Sequence, residues 1–152
     1  MPLSVRLYMN KNTLKAKKTL YESECTLVFC KDDEIHIDCE RGVKTLLRFV
    51  NDRKNFFGYS VADKVVGKAA AYLYVILGIE ELYADVISKS ALDVLAENDI
   101  DVFYKTAVDR IRNRSNTGFC PMEDAVMDSK TSEEALVAIN EKFRKLNALG
   151  GE

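Results

Sequence analysis

The sequence predicts an α/β protein, a three-layer α-β-α sandwich built around a mixed sheet. Short apolar or alternating runs typical of strands alternate along the chain with segments typical of helices, which is the pattern of a layered α/β domain. The first two strand candidates are separated only by a tight turn, which indicates an antiparallel hairpin at one side of the sheet. The chain has 152 residues, of which 47% are hydrophobic, so we expect one domain over 1–152 with a core of its own.

The first half of the chain carries a predicted hairpin between two amphipathic helices. The expected elements are a helix over 12–22, strands over 25–30 and 34–39, a helix over 42–52 and a short strand or extended link over 57–62. Strict alternation over 34–39 places Ile35, Ile37 and Cys39 on one face and His36 on the other. We expect the face that carries His36 to be exposed to solvent.

The second half begins with a helix predicted over 63–77, which is apolar nearly all round after Lys68 and therefore central and buried. Asp63 is its expected N-cap and Gly78 its expected end. The elements that follow are a strand over 82–88, a helix over 91–98, a strand over 101–106, a short helix over 121–128 and a last helix opening at 131 or 132. Glu134 predicts a capping box from Thr131 at the start of that last helix.

Composition excludes several classes of function. The net charge is −2 and the basic residues are spread along the chain, which argues against a binder of nucleic acid polymers or anionic membranes. The N-terminus shows no signal-peptide core, and the longest apolar stretch, 69–77, is about half of a membrane span. We therefore expect a cytoplasmic protein. Its cysteines should be free thiols: Cys25, Cys30, Cys39 and Cys120.

The most informative segment is N-R-S-N-T-G-F-C-P-M-E-D over 113–124. Pro121 suits the first turn of a helix, because its missing N–H has no intrahelical partner there, so Cys120 is the expected N-cap. A helix N-terminus stabilises a thiolate, and nearby Arg112 and Arg114 act in the same direction. Cys120 is therefore a candidate nucleophile. The alternative is a small buried hydrophobic residue that happens to precede a proline.

A second candidate site lies at the start of the predicted central helix and comprises Asp63, Lys64, Gly67 and Lys68. Lys64 and Lys68 are four residues apart and would share one helix face, where the helix N-terminus favours an anion. A glycine inside a helix costs about 1 kcal/mol relative to alanine, so Gly67 is expected to permit the close approach of a ligand or another backbone. The alternative is two solvated lysines and a packing glycine.

Neither a metal nor a cofactor is predicted. Cys25, Cys30 and Cys39 follow the spacing C-x4-C-x8-C, which is unlike common zinc sites. Strand alternation would also place Cys25 and Cys30 on opposite faces. His36 is the only histidine, and a Cys–His pair would require it to fold against Cys120.

Three segments carry a resemblance to a known family: S-V-A-D-K-V-V-G-K-A-A-A over 60–71, A-D-V-I-S-K over 84–89 and N-R-S-N-T-G-F-C-P-M-E-D-A-V over 113–126. They resemble a small prokaryotic family of uncharacterised proteins, a domain of unknown function whose fold belongs to the cytidine-deaminase-like superfamily. The resemblance covers residues from about 10 to 130 and implies that fold.

The chain departs from true deaminases at the positions that matter for catalysis. Zinc-dependent nucleobase deaminases carry His/Cys-x-Glu at the start of one helix and Pro-Cys-x-x-Cys at the next. The corresponding places here read Gly-Lys-Ala-Ala over 67–70 and Ser-Lys-Ser-Ala over 88–91. Without those ligands there is no activated water, so zinc-dependent deamination is not expected.

The resemblance then implies a deaminase-shaped pocket for a small anionic or nucleotide-like ligand. Lys64 and Lys68 would line it at one helix start, Ser88 and Ser90 at the next, and the C-terminal loop would supply Cys120 and a ligand-binding Arg114. One function left open is an enzyme that uses Cys120 as a nucleophile or redox thiol, with Glu123 as a cap or an acid/base. The other is a non-catalytic ligand-binding or redox-sensing protein. No symmetry is indicated, so a homo-oligomer stays open.

Overall fold

A computed structural model describes residues 8–40, 43–112 and 120–148 of the chain. The elements in chain order are α1 (Lys11–Glu22), β1 (Leu27–Lys31), β2 (Glu34–Asp38), α2 (Lys44–Asn51), β3 (Ser60–Val66), α3 (Lys68–Leu77), β4 (Glu81–Ser88), α4 (Lys89–Glu97), β5 (Asp101–Val108), α5 (Pro121–Ala125) and α6 (Ser132–Ala148). Within the described residues, no helix has the length and apolar character that a membrane crossing needs.

The strands form one mixed five-stranded sheet in the order β2-β1-β3-β4-β5. β1 is antiparallel to both of its neighbours, whereas β3, β4 and β5 are parallel. The hairpin between β1 and β2 turns at Asp32 and Asp33, and Asp32 adopts φ 56°, the left-handed conformation that two-residue turns favour. The predicted α/β class with an antiparallel hairpin at one side of a mixed sheet is confirmed.

The helices cover the two faces of the sheet unequally. Of the described helices, α1 alone packs on one face, where Ala16 and Leu20 meet Val28 and Tyr83. α2, α3 and α4 pack on the other face, and α6 packs against α3 through the same large apolar core. The sheet therefore lies between two helical layers.

The prediction for the cysteines of the hairpin is partly wrong. Cys25 and Cys30 both lie in the small apolar cluster under α1, although strand alternation would separate them. The reason is that β1 begins only at Leu27, so Cys25 precedes the regular strand. Both thiols are buried, Cys39 is exposed, Cys120 is partly buried, and all four are free.

The prediction for β2 is partly wrong, because both of its faces are exposed: Glu34 and His36 are exposed as expected, but so are Ile35 and Ile37. Ile35 and Ile37 are 38% and 50% exposed, because α1 does not extend over this edge of the sheet. The face that carries His36 also makes contacts: the His36 ring lies 5.5 Å from that of Phe56, edge to face, and Thr45 donates a hydrogen bond to Asp38.

The helix predicted over 63–77 begins later than expected. Residues Ser60–Val66 form β3, and α3 begins at Lys68 with Gly67 as its N-cap. Val61, Val65 and Val66 favour a strand, and β3 finds a hydrogen-bonding neighbour on each side, β1 and β4. The end of the helix is as predicted, with Gly78 at φ 80°.

The remaining elements agree with the predictions to within about three residues, as is usual for element boundaries. The last helix opens at Ser132, where the Thr131 hydroxyl accepts a hydrogen bond from the Glu134 N–H at 3.1 Å. The Glu134 carboxylate accepts in turn from the Lys130 N–H at 2.8 Å. The predicted capping interaction is therefore present, reaching one residue further back than expected.

Candidate functional site

The carboxyl ends of the three parallel strands meet at one edge of the sheet. Gly67 follows β3, Ser88 ends β4, and Asp109 follows β5. α3 and α4 begin at the same edge, so their N-terminal N–H groups converge there. This is the part of an open α/β sheet where ligands bind most often.

Glu123 of α5 closes the N-terminus of α3. Its Oε1 accepts a hydrogen bond from the Lys68 N–H at 2.9 Å, and its Oε2 accepts from the Ala69 N–H at 3.0 Å. Glu123 is only 7% exposed. A carboxylate at this place satisfies two N–H groups that lack intrahelical partners and meets the positive end of the helix dipole. The predicted capping role of Glu123 is thus found, on α3 rather than on its own helix.

Gly67 makes room for this carboxylate. A Cβ atom at residue 67 would lie 2.3, 2.4 and 2.8 Å from the three carboxylate atoms of Glu123. The backbone of Gly67 is extended, with φ −103° and ψ −178°, so the requirement for glycine here is steric rather than conformational. The expected close approach at this glycine is made by a side chain of the protein itself.

Three further contacts attach residues 121–129 to the neighbouring elements. Lys68 Nζ donates to the Met127 carbonyl at 2.9 Å, and the Tyr72 hydroxyl donates to the Ser129 carbonyl at 2.9 Å. Arg110 forms an ion pair with Asp124 at 2.5 Å. The start of α3 and the end of β5 therefore both hold α5 and the turn after it.

A cleft of about 380 Å³ opens beside this contact, and we call it the carboxyl-edge cleft. Two cations, two carboxylates, a hydroxyl and a thioether line it: Lys68, Arg110, Asp109, Glu123, Ser90 and Met127. Ser88, predicted to line the pocket, is not among these residues; its hydroxyl caps α4 by accepting from the Ala91 N–H at 3.1 Å. The two serine hydroxyl oxygens are 3.2 Å apart.

Cys120 is the N-cap of α5, as predicted. Its carbonyl accepts hydrogen bonds from the N–H groups of Glu123 and Asp124, and its N–H donates to the Ile111 carbonyl. In the described part of the chain its thiol makes no capping hydrogen bond with α5, and the side chain packs against the large core. Cys120 is not among the residues that line the carboxyl-edge cleft.

Asp63 and Lys64 do not lie at the N-terminus of α3, where they were predicted. Both lie within β3, so Lys64 and Lys68 share no helix face and the predicted pair of lysines is wrong. Asp63 is buried and accepts a hydrogen bond from the Tyr74 hydroxyl at 2.5 Å. Burial raises the pKa of Asp63 to about 7, and burial beside Asp63 raises the pKa of Tyr74 well above its usual value.

Arg114, predicted to bind an anion beside Cys120, lies outside the described residues. Sequence reasoning missed Asp109, Arg110 and Met127. The first two follow β5 directly, so their place at the carboxyl edge could have been predicted from the parallel order of the strands. Among residues 8–40, 43–112 and 120–148, no three His, Cys, Asp or Glu side chains lie together as a metal ion would need.

The fold and this edge define an α/β protein with a mixed five-stranded sheet and a polar cleft where its parallel strands end. The family model described as a domain of unknown function, DUF1893, matches residues 15–143. The chain therefore belongs to the DUF1893 family. The crystal structure of a DUF1893 family protein, TM1506 from Thermotoga maritima, is similar, with a TM-score of 0.80 and 27% identity over 90% of this chain and 93% of that one. A comparison with curated proteins finds no significant match.

Proposed function

We propose that this DUF1893 protein binds a small polar molecule, anionic or nucleotide-like, in the carboxyl-edge cleft. The observation that carries the proposal is the convergence of Lys68, Arg110 and Ser90 on one cleft at the ends of parallel strands. The volume of about 380 Å³ lies within the range of small-molecule sites. Cations and carboxylates on the same walls suit a ligand that has both an acidic group and hydrogen-bond donors.

Glu123 limits what such a ligand can contact. Its carboxylate already accepts from the first two N–H groups of α3, so an anionic ligand takes the lysine and arginine side chains rather than the helix N–H groups. Each carboxylate oxygen has a second acceptor position, which leaves Glu123 able to accept from an amino or amide group of the ligand. A nucleotide offers both kinds of group.

The cytidine-deaminase-like fold inferred from sequence belongs to the same proposal. A hairpin followed by βα units in a mixed sheet supports it. The residues do not fit the zinc ion of that superfamily, because Gly67–Ala70 and Ser88–Ala91 present lysine, serine, glycine and alanine where histidine, cysteine and glutamate are needed. We therefore propose binding in this cleft and no zinc-dependent step.

Calorimetric titration with cytidine 5′-monophosphate, cytidine and inorganic phosphate tests the proposal. Lys68 and Lys64 supply a matched pair of variants, because Lys68 lines the cleft and Lys64 is exposed on β3. We expect the nucleotide to bind and Lys68→Met to weaken binding by about tenfold or more, the effect of losing a charged hydrogen bond. Lys64→Met should leave the affinity unchanged. Failure of all three probes to bind, or equal effects of both variants, would contradict the proposal.

A second candidate function is an enzyme or redox sensor that uses Cys120. The observation that favours it is the position of the thiol, since Cys120 caps the same short helix that carries Glu123 to the cleft. Cys39 provides an internal control, because it is exposed whereas Cys120 is partly buried. Alkylation of Cys120 by iodoacetamide faster than of Cys39 would indicate an activated thiol. Slower reaction of Cys120 than of Cys39, together with failure to trap a sulfenic acid after mild peroxide, would contradict this second function. Non-catalytic ligand binding would then be the function that the results support.

A further inference from the structure

The hairpin is irregular where β1 begins. Lys31 and Glu34 flank a two-residue turn and form the first hydrogen-bonded pair of the hairpin. Bonded pairs then alternate along the ladder, so the pair of Leu27 with Asp38 is also bonded. The Asp38 carbonyl accepts in addition from the Thr26 N–H at 3.0 Å. Two successive residues on the β1 side thus oppose one residue of β2, which is the arrangement of a β-bulge.

The bulge brings two cysteines opposite each other. The two bulge residues share Asp38 as their partner, so the next residue back along the chain, Cys25, falls opposite the next residue forward, Cys39. The chains stay side by side beyond the regular ladder, because the Thr26 hydroxyl donates to the Glu40 carbonyl at 2.6 Å. The pair that follows a bonded pair has Cα atoms about 4.5 Å apart, which is within the range that a disulfide spans.

Both thiols lie on the same face of the sheet. The Asp38 carboxylate accepts a hydrogen bond from Thr45 of α2, so Asp38 is on the face that α2 covers, and its neighbour Cys39 is on the α1 face. Cys25 is on the α1 face as well, in the small apolar cluster under that helix. The bulge accounts for this position, since one extra residue reverses the alternation of the side chains before Leu27.

The two thiols differ in their access to solvent. Cys39 is exposed, whereas Cys25 is 2% exposed. The Cys25 sulfur lies 4.0 Å from the carbonyl oxygens of Thr19 and Leu20 in α1. Burial raises the pKa of the Cys25 thiol, and the nearby Cys39 raises it further. An exposed thiol next to a protected one is the arrangement in which the first meets an oxidant and the second resolves the product.

We propose that Cys39 and Cys25 form a disulfide when the protein meets a small hydroperoxide such as hydrogen peroxide. The Cys39 sulfur attacks one peroxide oxygen, the O–O bond breaks, and the other oxygen leaves as water with the thiol proton, so Cys39 becomes a sulfenic acid. The Cys25 sulfur then attacks the Cys39 sulfur, the S–O bond breaks, and the hydroxyl leaves as water with the Cys25 proton. The peroxide is reduced to water and the thiols are oxidised to the disulfide.

The register selects Cys25 rather than Cys30 as the resolving thiol. Cys30 is also buried under α1, but it pairs with Ile35, and Cys39 lies four residues further along the chain. Four residues of strand span about 13 Å, beyond the reach of a disulfide. Neither Cys25 nor Cys39 lines the carboxyl-edge cleft, so the disulfide is a site of its own.

Mass spectrometry of the full-length protein tests the pairing. Hydrogen peroxide is added to the folded, reduced protein, the remaining thiols are blocked with N-ethylmaleimide, and the unreduced chain is digested with trypsin and chymotrypsin. Chymotrypsin cleaves after Leu27 and Phe29, which separates Cys25 from Cys30, so the wild type identifies the linked thiols without any substitution. We expect a peptide pair that joins Cys25 to Cys39 and that is lost after reduction with dithiothreitol.

A matched pair of variants tests the order of the two steps. Cys25→Ser removes the resolving thiol, and Cys30→Ser removes a thiol that is as deeply buried. Dimedone should label a sulfenic acid on Cys39 in Cys25→Ser and should label less of it in Cys30→Ser, where the disulfide consumes it. Absence of the link from Cys25 to Cys39 in the oxidised wild type, a link from Cys39 to Cys30 in its place, or equal labelling of the two variants overturns the proposal.

Discussion

The carboxylate of Glu123 occupies the space that a side chain at residue 67 would need. Its atoms lie 2.3–2.8 Å from the place of a Cβ on Gly67, and its oxygens accept from the N–H groups of Lys68 and Ala69. One missing side chain thus allows α5 to cap α3. The stability of α3 and α5 should therefore depend jointly on Gly67 and Glu123.

Gly67→Ala is expected to lower the free energy of unfolding by about 2 kcal/mol, because displacing the carboxylate leaves two helix N–H groups without an acceptor. Urea denaturation measures the loss. The control is the same substitution in a Glu123→Ala background, where no carboxylate opposes the new methyl group and the cost should be much smaller. Equal costs in both backgrounds would show that the two residues are not coupled.

Asp63 should make the protein less stable as the pH rises from about 4 to about 7. The pKa of Asp63 is about 7 in the folded protein and about 3.9 in an unfolded chain. Between these values the folded state holds a proton that the unfolded state has released, so folding becomes less favourable with rising pH. The measurement is the free energy of unfolding across this range for the wild type and Asp63→Asn.

Asp63→Asn should gain stability relative to the wild type as the pH approaches 7, because the amide keeps a hydrogen-bond acceptor for Tyr74 and carries no charge. Asp93→Asn serves as the control for the loss of a carboxylate as such, since Asp93 is exposed on α4. A constant difference between Asp63→Asn and the wild type would contradict the expectation.

Cys25 and Cys30 should resist alkylation in the folded protein. Both are buried, and burial raises the pKa of each thiol above its usual value, which lowers the fraction of reactive thiolate. Mass spectrometry after brief exposure to iodoacetamide should find Cys39 modified and these two thiols intact. In urea all of them should react at similar rates, and early modification of Cys25 or Cys30 without denaturant would argue against the packing under α1.

Tyr72→Phe should destabilise the protein by about 1 kcal/mol, because the Ser129 carbonyl loses its donor at 2.9 Å while the ring remains packed. Tyr104→Phe is the matched control, since Tyr104 is 47% exposed on β5 and its loss of a hydroxyl should cost little. Thermal unfolding of both variants measures the difference. Similar unfolding temperatures would mean that the Tyr72 contact does not hold residues 121–129.

Local signals predicted much of the fold. Gly78 ends α3, Thr131 and Glu134 open α6, and Cys120 precedes the first turn of α5 as Pro121 indicated. Each signal depends on residues within a few positions of one another. The order of helices and strands followed from such signals, and with it the α/β class and the mixed sheet.

The start of α3 could not be predicted from such local signals. Asp63 has the chemistry of an N-cap, and Lys64 and Lys68 have helical spacing, so the local pattern favours a helix. The strand is preferred because β1 and β4 take up the hydrogen bonds of residues 60–66. That contribution comes from segments more than fifteen residues away, and no pattern within 63–68 contains it.

The candidate site also depends on residues that are far apart in the sequence. Gly67 was correctly singled out as a place of close approach, but the approaching group, Glu123, lies 55 residues beyond Lys68 in the chain. A single sequence without its fold does not connect them. The cleft residues Asp109 and Arg110 were within reach, since they come soon after the strand predicted over 101–106 in a mixed α/β sheet.

The cap on α3 also affects the order in which parts of the protein can become structured during synthesis. The acceptor for the Lys68 N–H arrives 55 residues later, after β4, α4 and β5 have been synthesised. Until then these N–H groups have no Glu123 carboxylate as acceptor, so we expect water to hydrate the first turn of α3 and this end of the helix to fray. Closing so long a loop carries an entropic cost that only the packed sheet can offset. The final ordering of this edge therefore waits for the C-terminal third of the protein, and a chain halted before α5 lacks the carboxylate that caps α3.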